Sequence, residues 1–296
     1  MLALGYYLRM NTRTITADAP IGIFDSGVGG LSILRHVRAL LPHEHLIYAA
    51  DSGFAPYGGK PEAVVAERSL TVARFLADQG AKAIVVACNT ATGAAVKLLR
   101  ERLPELPIVG VEPGLKPAAA ATHSGTVGVL ATELTLASAK FLHLRDQIAS
   151  STGARFLLQP CRGLVDQIEL GDLAAPAIIE MLRAYVTPLL DQGADTLVLG
   201  CTHYPLVQAS IERVIADHGV AGVTLVDTGE AVARQVARLL DAAGLLRAAD
   251  ARSPARVEGF TSASATALAS AFSSLIGIDP PVFETAFAAS STVERI

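Results

Sequence analysis

Gln79-Gly80-Ala81-Lys82-Ala83-Ile84-Val85-Val86-Ala87-Cys88-Asn89-Thr90 and Gln192-Gly193-Ala194-Asp195-Thr196-Leu197-Val198-Leu199-Gly200-Cys201-Thr202-His203 align without a gap. In each, Gln-Gly-Ala leads into consecutive apolar residues, and the run ends at a cysteine followed by polar side chains. An unbroken apolar run of this length is how a strand buried on both faces of a parallel sheet reads. Ile21-Gly22-Ile23-Phe24 and Val127-Gly128-Val129-Leu130 make a second matching pair. Two explanations fit. Buried strands draw on a small vocabulary and resemble one another by composition, or the chain holds two related α/β domains.

Outward from these stretches, further short apolar runs appear at Leu46–Ala50, Ile108–Val111, Arg155–Leu158 and Val223–Val226. With Ile21–Phe24, Ala83–Ala87, Val127–Leu130 and Thr196–Gly200 they make eight, in two sets of four. Helical patterns lie between them. In 61–79, Val65, Val72, Ala73 and Leu76 share one face, and Gly80 sits just past the end. Such alternation predicts an α/β fold of two similar domains, each a mostly parallel sheet flanked by helices. The junctions fall in 114–125, which holds Pro117 and an alanine run, and around Asp227. After Asp227 come a helix over 230–243, a Ser/Ala-rich stretch and a short strand near Val282–Phe283. These pieces are too few for a third domain and are expected to complete the first. The expected division is residues 20–115 plus 226–296, residues 116–225, and an N-terminal extension of residues 1–19. Met10 is a candidate start, since the first strand begins only at Ile21.

The chain has 296 residues, of which 51% are hydrophobic and 18% charged, enough to bury a sizeable core and contrary to disorder. A net charge of −4 without a Lys/Arg cluster leaves no footprint for a nucleic-acid partner. No run of 18 apolar residues marks a membrane span, and residues 1–9 lack the basic start and apolar length of a signal peptide. Three cysteines, Cys88, Cys161 and Cys201, make neither a disulfide framework nor a zinc site, and they suit a reducing cytoplasm.

In open parallel sheets, ligands bind beyond the carboxyl ends of the strands. The residues there are Asp25-Ser26, Asp51-Ser52, Cys88-Asn89-Thr90 and Glu112 in the first half. In the second they are Thr132, Cys161, Cys201-Thr202-His203 and Asp227. Helix capping accounts for some Asp, Ser and Thr, and Asp51 and Asp227 read as caps. Capping does not call for cysteine. Two domains with facing strand ends would enclose a cleft with Cys88 on one wall and Cys201 on the other. A chiral carbon between them could lose its proton to one sulfur and gain one from the other on the opposite face. Thiols suit this task because their ordinary pKa, about 8.5, is readily tuned toward neutrality. Asp25 would tune Cys88, and His203 or Glu169 would tune Cys201. Cys161 reads as a buried small hydrophobe.

Other readings stand beside this one. Gly27-Val28-Gly29-Gly30 is neither a dinucleotide fingerprint nor a Walker A loop. It is either a backbone turn whose amides bind a carboxylate at a helix start or a tight turn that needs glycine. Cys201-Thr202-His203 could be half of a metal site, but it has no second pair. A Cys–His nucleophile leaves the other strand-end cysteine unexplained. A binding module explains the cleft but not both thiols. Pro56-Tyr57-Gly58-Gly59 reads locally as a turn.

Taken together, Asp25-Ser26-Gly27-Val28-Gly29-Gly30, Pro56-Tyr57-Gly58, Cys88-Asn89-Thr90-Ala91 and Cys201-Thr202-His203-Tyr204-Pro205 resemble the signature set of bacterial glutamate racemases, in the family's order. The resemblance spans roughly residues 21–284. It implies two α/β domains with the active site in the cleft between them. It also implies racemization of L- and D-glutamate that uses no pyridoxal phosphate or other cofactor and no metal, and that supplies D-glutamate to peptidoglycan. By the same resemblance Cys88 and Cys201 are the proton donor and acceptor. Asp25 assists Cys88, while His203 and Glu169 (eight residues after Cys161) assist Cys201. Asp25, Ser26, Tyr57, Gly58, Asn89, Thr90, Thr132, Thr202 and His203 match substrate-binding positions. Thr132-x-x-Thr135-x-x-Ser138 resembles a further family segment. A homodimer is left open, and related folds with two cysteines act on aspartate or hydantoins. The chain departs from the family pattern at Ser52-Gly53-Phe54, where Thr-Ala-Arg is common, and at Cys161-Arg162-Gly163, which lacks the usual proline.

Overall fold

The structure, a computed structural model, describes residues 15–249, 251 and 253–288. The expectations for residues 1–14, including Met10 as a start, and for residues 289–296 lie outside the described residues. In chain order the elements are β1 (Ile21–Asp25), α1 (Leu31–Leu40), β2 (Leu46–Ala50), α2 (Glu62–Asp78), β3 (Ala83–Val86), α3 (Asn89–Arg102) and β4 (Ile108–Gly110). There follow α4 (Leu115–Ala121), β5 (Thr126–Ala131), α5 (Glu133–Ala137), α6 (Ala139–Thr152), β6 (Arg155–Pro160), α7 (Leu164–Glu169) and α8 (Pro176–Asp191). The last are β7 (Thr196–Gly200), α9 (Gln208–His218), β8 (Thr224–Val226), α10 (Gly229–Ala242), β9 (Val257–Thr261), α11 (Ala265–Ile276) and β10 (Val282–Glu284).

The strands form two wholly parallel sheets, ordered β10-β9-β2-β1-β3-β4 and β6-β5-β7-β8. The order β2-β1-β3-β4 is repeated as β6-β5-β7-β8, and the register repeats with it. Ile21 pairs with Ala83 and Phe24 with Val86, while Val127 pairs with Thr196 and Leu130 with Leu199. The two quoted stretches therefore occupy the same place in two sheets. Their turns also repeat. Gly80 and Gly193 take φ of 103° and 85°, a left-handed conformation that glycine adopts without strain. The next amides, Ala81 and Ala194, then donate to Leu76 O and Leu189 O, each at 3.0 Å, closing α2 and α8 in the same way. Those two leucines pack on the paired glycines. A Cβ on Gly22 would sit 3.1 Å from Leu76 Cβ, and one on Gly128 would sit 2.9 Å from Leu189 Cδ1.

Each sheet is covered on both faces. Ile21, Ile23 and Val85 pack under α1, α10 and α11, whereas Phe24, Ile84 and Val86 pack under α2 and α3. In the second sheet Leu130, Leu197 and Leu199 face α7, α8 and α9, and Val127, Val129 and Val198 face α4 and α6. Each such aliphatic side chain contributes about 1.5–3 kcal/mol by leaving water.

Several boundaries differ from the expectation for physical reasons. β6 and β8 are not buried on both faces, because they form the edges of the four-stranded sheet. The alanine run in 114–125 is not a linker but the helix α4, whose Leu115 and Ala118 sit in the second sheet's core. The Ser/Ala-rich stretch contains a strand and a helix. β9 pairs with β2, and α11 buries Leu268 and Phe272 after Ser264 caps it through Ala267 N at 3.3 Å. Glu258 and Gly259 break the apolar run of β9 and hide it from a periodicity reading. Gly259 is needed there because a Cβ would meet Phe272 at 2.8 Å. With β10, β9 completes the first sheet. Among the described residues no helix is long and apolar enough to cross a membrane.

Candidate active site

The carboxyl ends of β1 and β3 face those of β5 and β7. Hydrogen bonds cross between the two halves there, joining Asp25 with Thr202, Ser32 with Thr202, Val28 with Glu169, and Thr90 with Thr132 and Thr135.

On the first wall, β3 runs out at Val86 and Cys88 becomes the N-cap of α3. Its backbone is extended, and Sγ lies 3.5 Å from Ala91 N–H, the place a capping oxygen usually takes. Asn89 and Thr90 follow in the first turn, both buried. The Asp25 side chain is fully buried at the end of β1 and next to Ser26, which is also buried. Asp25 Oδ2 accepts from Gly30 N at 2.6 Å and from Thr202 Oγ1 at 3.1 Å. Its Oδ1 and Asn89 Nδ2 are buried without a hydrogen-bond partner among the described residues. Burial pushes the Asp25 carboxyl up, and the charge of His203, the Ser26 amide and the Cys88 thiol offset only part of that. Burial likewise pushes the Cys88 thiol well up, and the Asp25 carboxylate adds to it. Cys88 therefore rests as a thiol.

On the second wall, β7 ends at Gly200 and Cys201 follows directly. His203 is buried, with Nδ1 3.7 Å from Cys201 Sγ and Nε2 2.6 Å from Glu169 Oε1. Glu169, at the end of α7, also accepts from Val28 N at 2.8 Å. Burial opposes a charge on His203, but the hydrogen bonds to Cys201 and Glu169 outweigh it and hold the imidazole well above its ordinary value. Burial also opposes the Glu169 charge, and His203 with the Val28 amide more than offsets it, so that carboxyl lies low. The pair is an imidazolium on a carboxylate, with one ring nitrogen turned to Cys201.

The glycine loop combines both readings offered for it. Its amides do bind carboxylates, but those of Asp25 and Glu169. Gly27, Gly29 and Gly30 are absent from the left-handed glycines, so conformation does not demand them. Space does: a Cβ on Gly27 would overlap the Glu169 carboxylate, and one on Gly29 the His203 ring. A Cβ on Gly30 would lie 2.7 Å from Asp25 Cβ.

Thr132 caps α5 through Thr135 N, and its hydroxyl lies 3.0 Å from Thr90 Oγ1, with Thr135 Oγ1 completing a cluster of three hydroxyls. Gly58 abuts it, since a Cβ there would sit 2.7 Å from Thr132 Cβ. Ser138 lies one turn away as the cap of α6. The Tyr57 side chain is buried in the same cluster as Cys88, and its phenol donates to Asp51 Oδ2 at 2.6 Å. Asp51 is not a cap. Its buried carboxylate takes both Arg68 Nε (3.0 Å) and Nη2 (2.8 Å), Tyr57 OH and Ser262 Oγ. Arg68 also stands 3.8 Å over the Phe54 ring, and Gly53 N donates to Ser262 Oγ. The residues that depart from the family pattern are thus part of this anchor. Asp227 accepts from the Thr228 and Gly229 amides at 2.5 and 3.1 Å just ahead of α10, whose N-cap position is Thr228. Cys161 lies behind Cys201 in the second core, donating to Gln159 O at 3.5 Å, and burial pushes its thiol up to about 12.

The sequence reading missed Ser32, Arg68 and the Val28 amide. Ser32 alone had a legible signal, a polar residue among Leu31, Ile33 and Leu34 on a helix face that is otherwise buried.

Residues 31–236 match the model of a family described as Asp/Glu/hydantoin racemase. The glutamate racemase of Ectopseudomonas mendocina is 58% identical over 76% of this chain and 83% of its own length. That of Ralstonia nicotianae is 55% identical over 81% of this chain and 84% of its own. Among solved structures, a glutamate racemase isoform from Bacillus anthracis superposes with a TM-score of 0.80 at 29% identity, covering 90% of this chain and 97% of that one. Escherichia coli glutamate racemase, in complex with L-glutamate and the activator UDP-MurNAc-Ala, gives 0.77 at 34% identity over 90% and 97%. With the fold, the two strand-end thiols and these likenesses in agreement, the chain belongs to the Asp/Glu/hydantoin racemase family and stands among its glutamate racemases.

Proposed function

We propose that this protein interconverts L- and D-glutamate by two-base proton transfer between Cys88 and Cys201, with no cofactor or metal. The observation that carries the proposal is the placement of the two buried thiols at equivalent strand ends of facing sheets, each beside its own ionisable partner. One sulfur, as thiolate, takes the α-proton. The other, as thiol, gives one to the opposite face, and the roles exchange with the substrate's handedness. With Cys88 resting as a thiol, it is the donor in the direction in which Cys201 accepts. Asp25 assists Cys88, and His203, seated on Glu169, assists Cys201.

An anionic substrate suits this place. Helices α1, α3 and α5 all begin at the cleft, and helix N-termini favour anions. Asn89 Nδ2 is a buried donor with no partner among the described residues. In this reading Ser26, Asn89, Thr90, Thr132, Thr202 and His203 hold glutamate with Asp25, and Tyr57 and Gly58 contribute backbone groups. In this reading the domains are residues 20–115 with 226–296 and residues 116–225, with the substrate between them. The reaction is cytoplasmic, its product serves peptidoglycan, and a homodimer is the assembly to look for.

Incubation with L-glutamate in D2O tests the proposal. Chiral separation and mass measurement are expected to find D-glutamate carrying one α-deuteron. Absence of both the D-enantiomer and α-deuterium overturns the reading, and turnover of aspartate or a hydantoin in its place changes the substrate.

A further inference from the structure

We infer that Ser32, a residue of the first half that reaches no reacting atom, is a positioning residue for Cys201 in the second half. It is the second residue of α1 and 1% exposed. Its hydroxyl makes no bond within its own helix and caps nothing. It donates across the cleft to Thr202 O at 2.9 Å. Thr202 lies between Cys201 and His203, and its own hydroxyl donates to Asp25 Oδ2 at 3.1 Å. The turn carrying the second thiol is therefore pinned at two points on one residue, both by the opposite half.

The other carbonyls of this turn are satisfied at home: Cys201 O accepts from Tyr204 N at 3.1 Å and His203 O from Leu206 N at 3.0 Å. Thr202 O depends on Ser32. Loss of that donor leaves a buried carbonyl unpaired and frees the peptide plane leading into His203. Two-base transfer requires both sulfurs at reach of one carbon, and a displacement of about 1 Å can cost 100-fold in rate. Ser32 holds the Thr202 backbone and offers the substrate no group of its own, so its loss should fall more on kcat than on KM.

The inference rests on the racemase reading, so one readout is independent of turnover. Ser32→Ala is expected to lower kcat about 30-fold with KM within about threefold, and Ser32→Thr, which keeps the hydroxyl, should stay within about threefold of wild type. The His203 imidazole titration, followed by NMR, should shift in Ser32→Ala and not in Ser32→Thr. If Ser32→Ala does not fold, Ser32→Cys, a similar shape with a weak donor, should reproduce the shift. Wild-type kcat and an unmoved His203 titration in the hydroxyl-free variant overturn the inference. So does equal loss of activity in Ser32→Ala and Ser32→Thr, which marks packing alone. A wild-type protein inert toward glutamate, with the titration still shifting in Ser32→Ala, defeats the substrate reading and leaves the positioning role standing.

Discussion

Cys88 and Cys201 leave equivalent strands in the same register, yet the charges around the two sulfurs differ. Cys88 caps a 14-residue helix and shares its burial with the Asp25 carboxylate, which together with desolvation keeps it a thiol. Cys201 is followed by the short 3-10 turn Tyr204–Val207 before α9 begins, and its partner is an imidazole seated on Glu169. Repetition of the fold supplies two opposed positions, and divergence within the first residues after each strand supplies two protonation environments. Where one wall has Asn89-Thr90, the other has Thr202-His203. A reaction that must run from either enantiomer needs the first property, and one resting state with a defined donor needs the second.

The sharpest way to break this comparison is to remove one sulfur at a time. Cys88→Ser and Cys201→Ser should each lower racemization by at least about 1,000-fold, the scale of a lost general acid or base. Each should still exchange the α-proton of one enantiomer with D2O, and the enantiomer should differ between the two variants. Proton NMR of the α-position reads this directly. Exchange of the same enantiomer by both variants would mean that the thiols do not address opposite faces.

A smaller effect singles out the second wall. In Gly29→Ala the new Cβ overlaps the His203 ring, which must turn away from Cys201, while the Cys88 side is untouched. A loss of about 100-fold in kcat is expected from that misplacement. Gly93→Ala serves as the control, because its Cβ meets only Ser138 at an ordinary 3.6 Å and alanine favours the helix. Equal activity of the two variants would show that His203 does not need its observed position.

The duplicated framework was legible because it is written in local pattern: apolar runs, Gln-Gly-Ala turns and a cysteine at each exit. Cys88, Cys201, Asp25 and His203 were found for the same reason, since strand ends can be counted along the chain. The helix α11 and the strand β9 were not, because a glycine and a glutamate interrupt β9 and its burial comes from pairing with β2, far away in sequence. Asp51 was misread as a cap because the partners that define it, Arg68 and Ser262, arrive from α2 and from the end of β9. Tyr57 shows the same limit: a motif marks the position but not the direction of its side chain. The glycine loop is the most instructive case. Its residues were visible, but the reason for them is the close approach of Glu169 and His203 from the other half, and no spacing within the loop encodes that.

The smallest expected effect concerns stability, and it belongs to one wall only. His203 is held above its ordinary 6.5, so its contribution is complete below that pH and is lost as pH rises through its folded value. Glu169 is held below its ordinary 4.5, so its contribution is complete above that pH and is lost as pH falls through its folded value. Both are in full effect only between 4.5 and 6.5. Glu169→Gln keeps an acceptor for the Val28 amide and the imidazole but removes the charge. A hydrogen bond to a charged group is worth about 1.5–3 kcal/mol against about 1 for a neutral one, so the cost should be on the order of 1–2 kcal/mol. Urea unfolding across pH should show the gap between wild type and Glu169→Gln widest in that window and narrowing on either side. Cys88→Ser should show no such window, because burial holds the Cys88 thiol well above its ordinary value and its titration lies far outside that range. A gap independent of pH would assign the Glu169–His203 contact to shape rather than charge, and the contrast between the two walls would then rest on Asp25 alone.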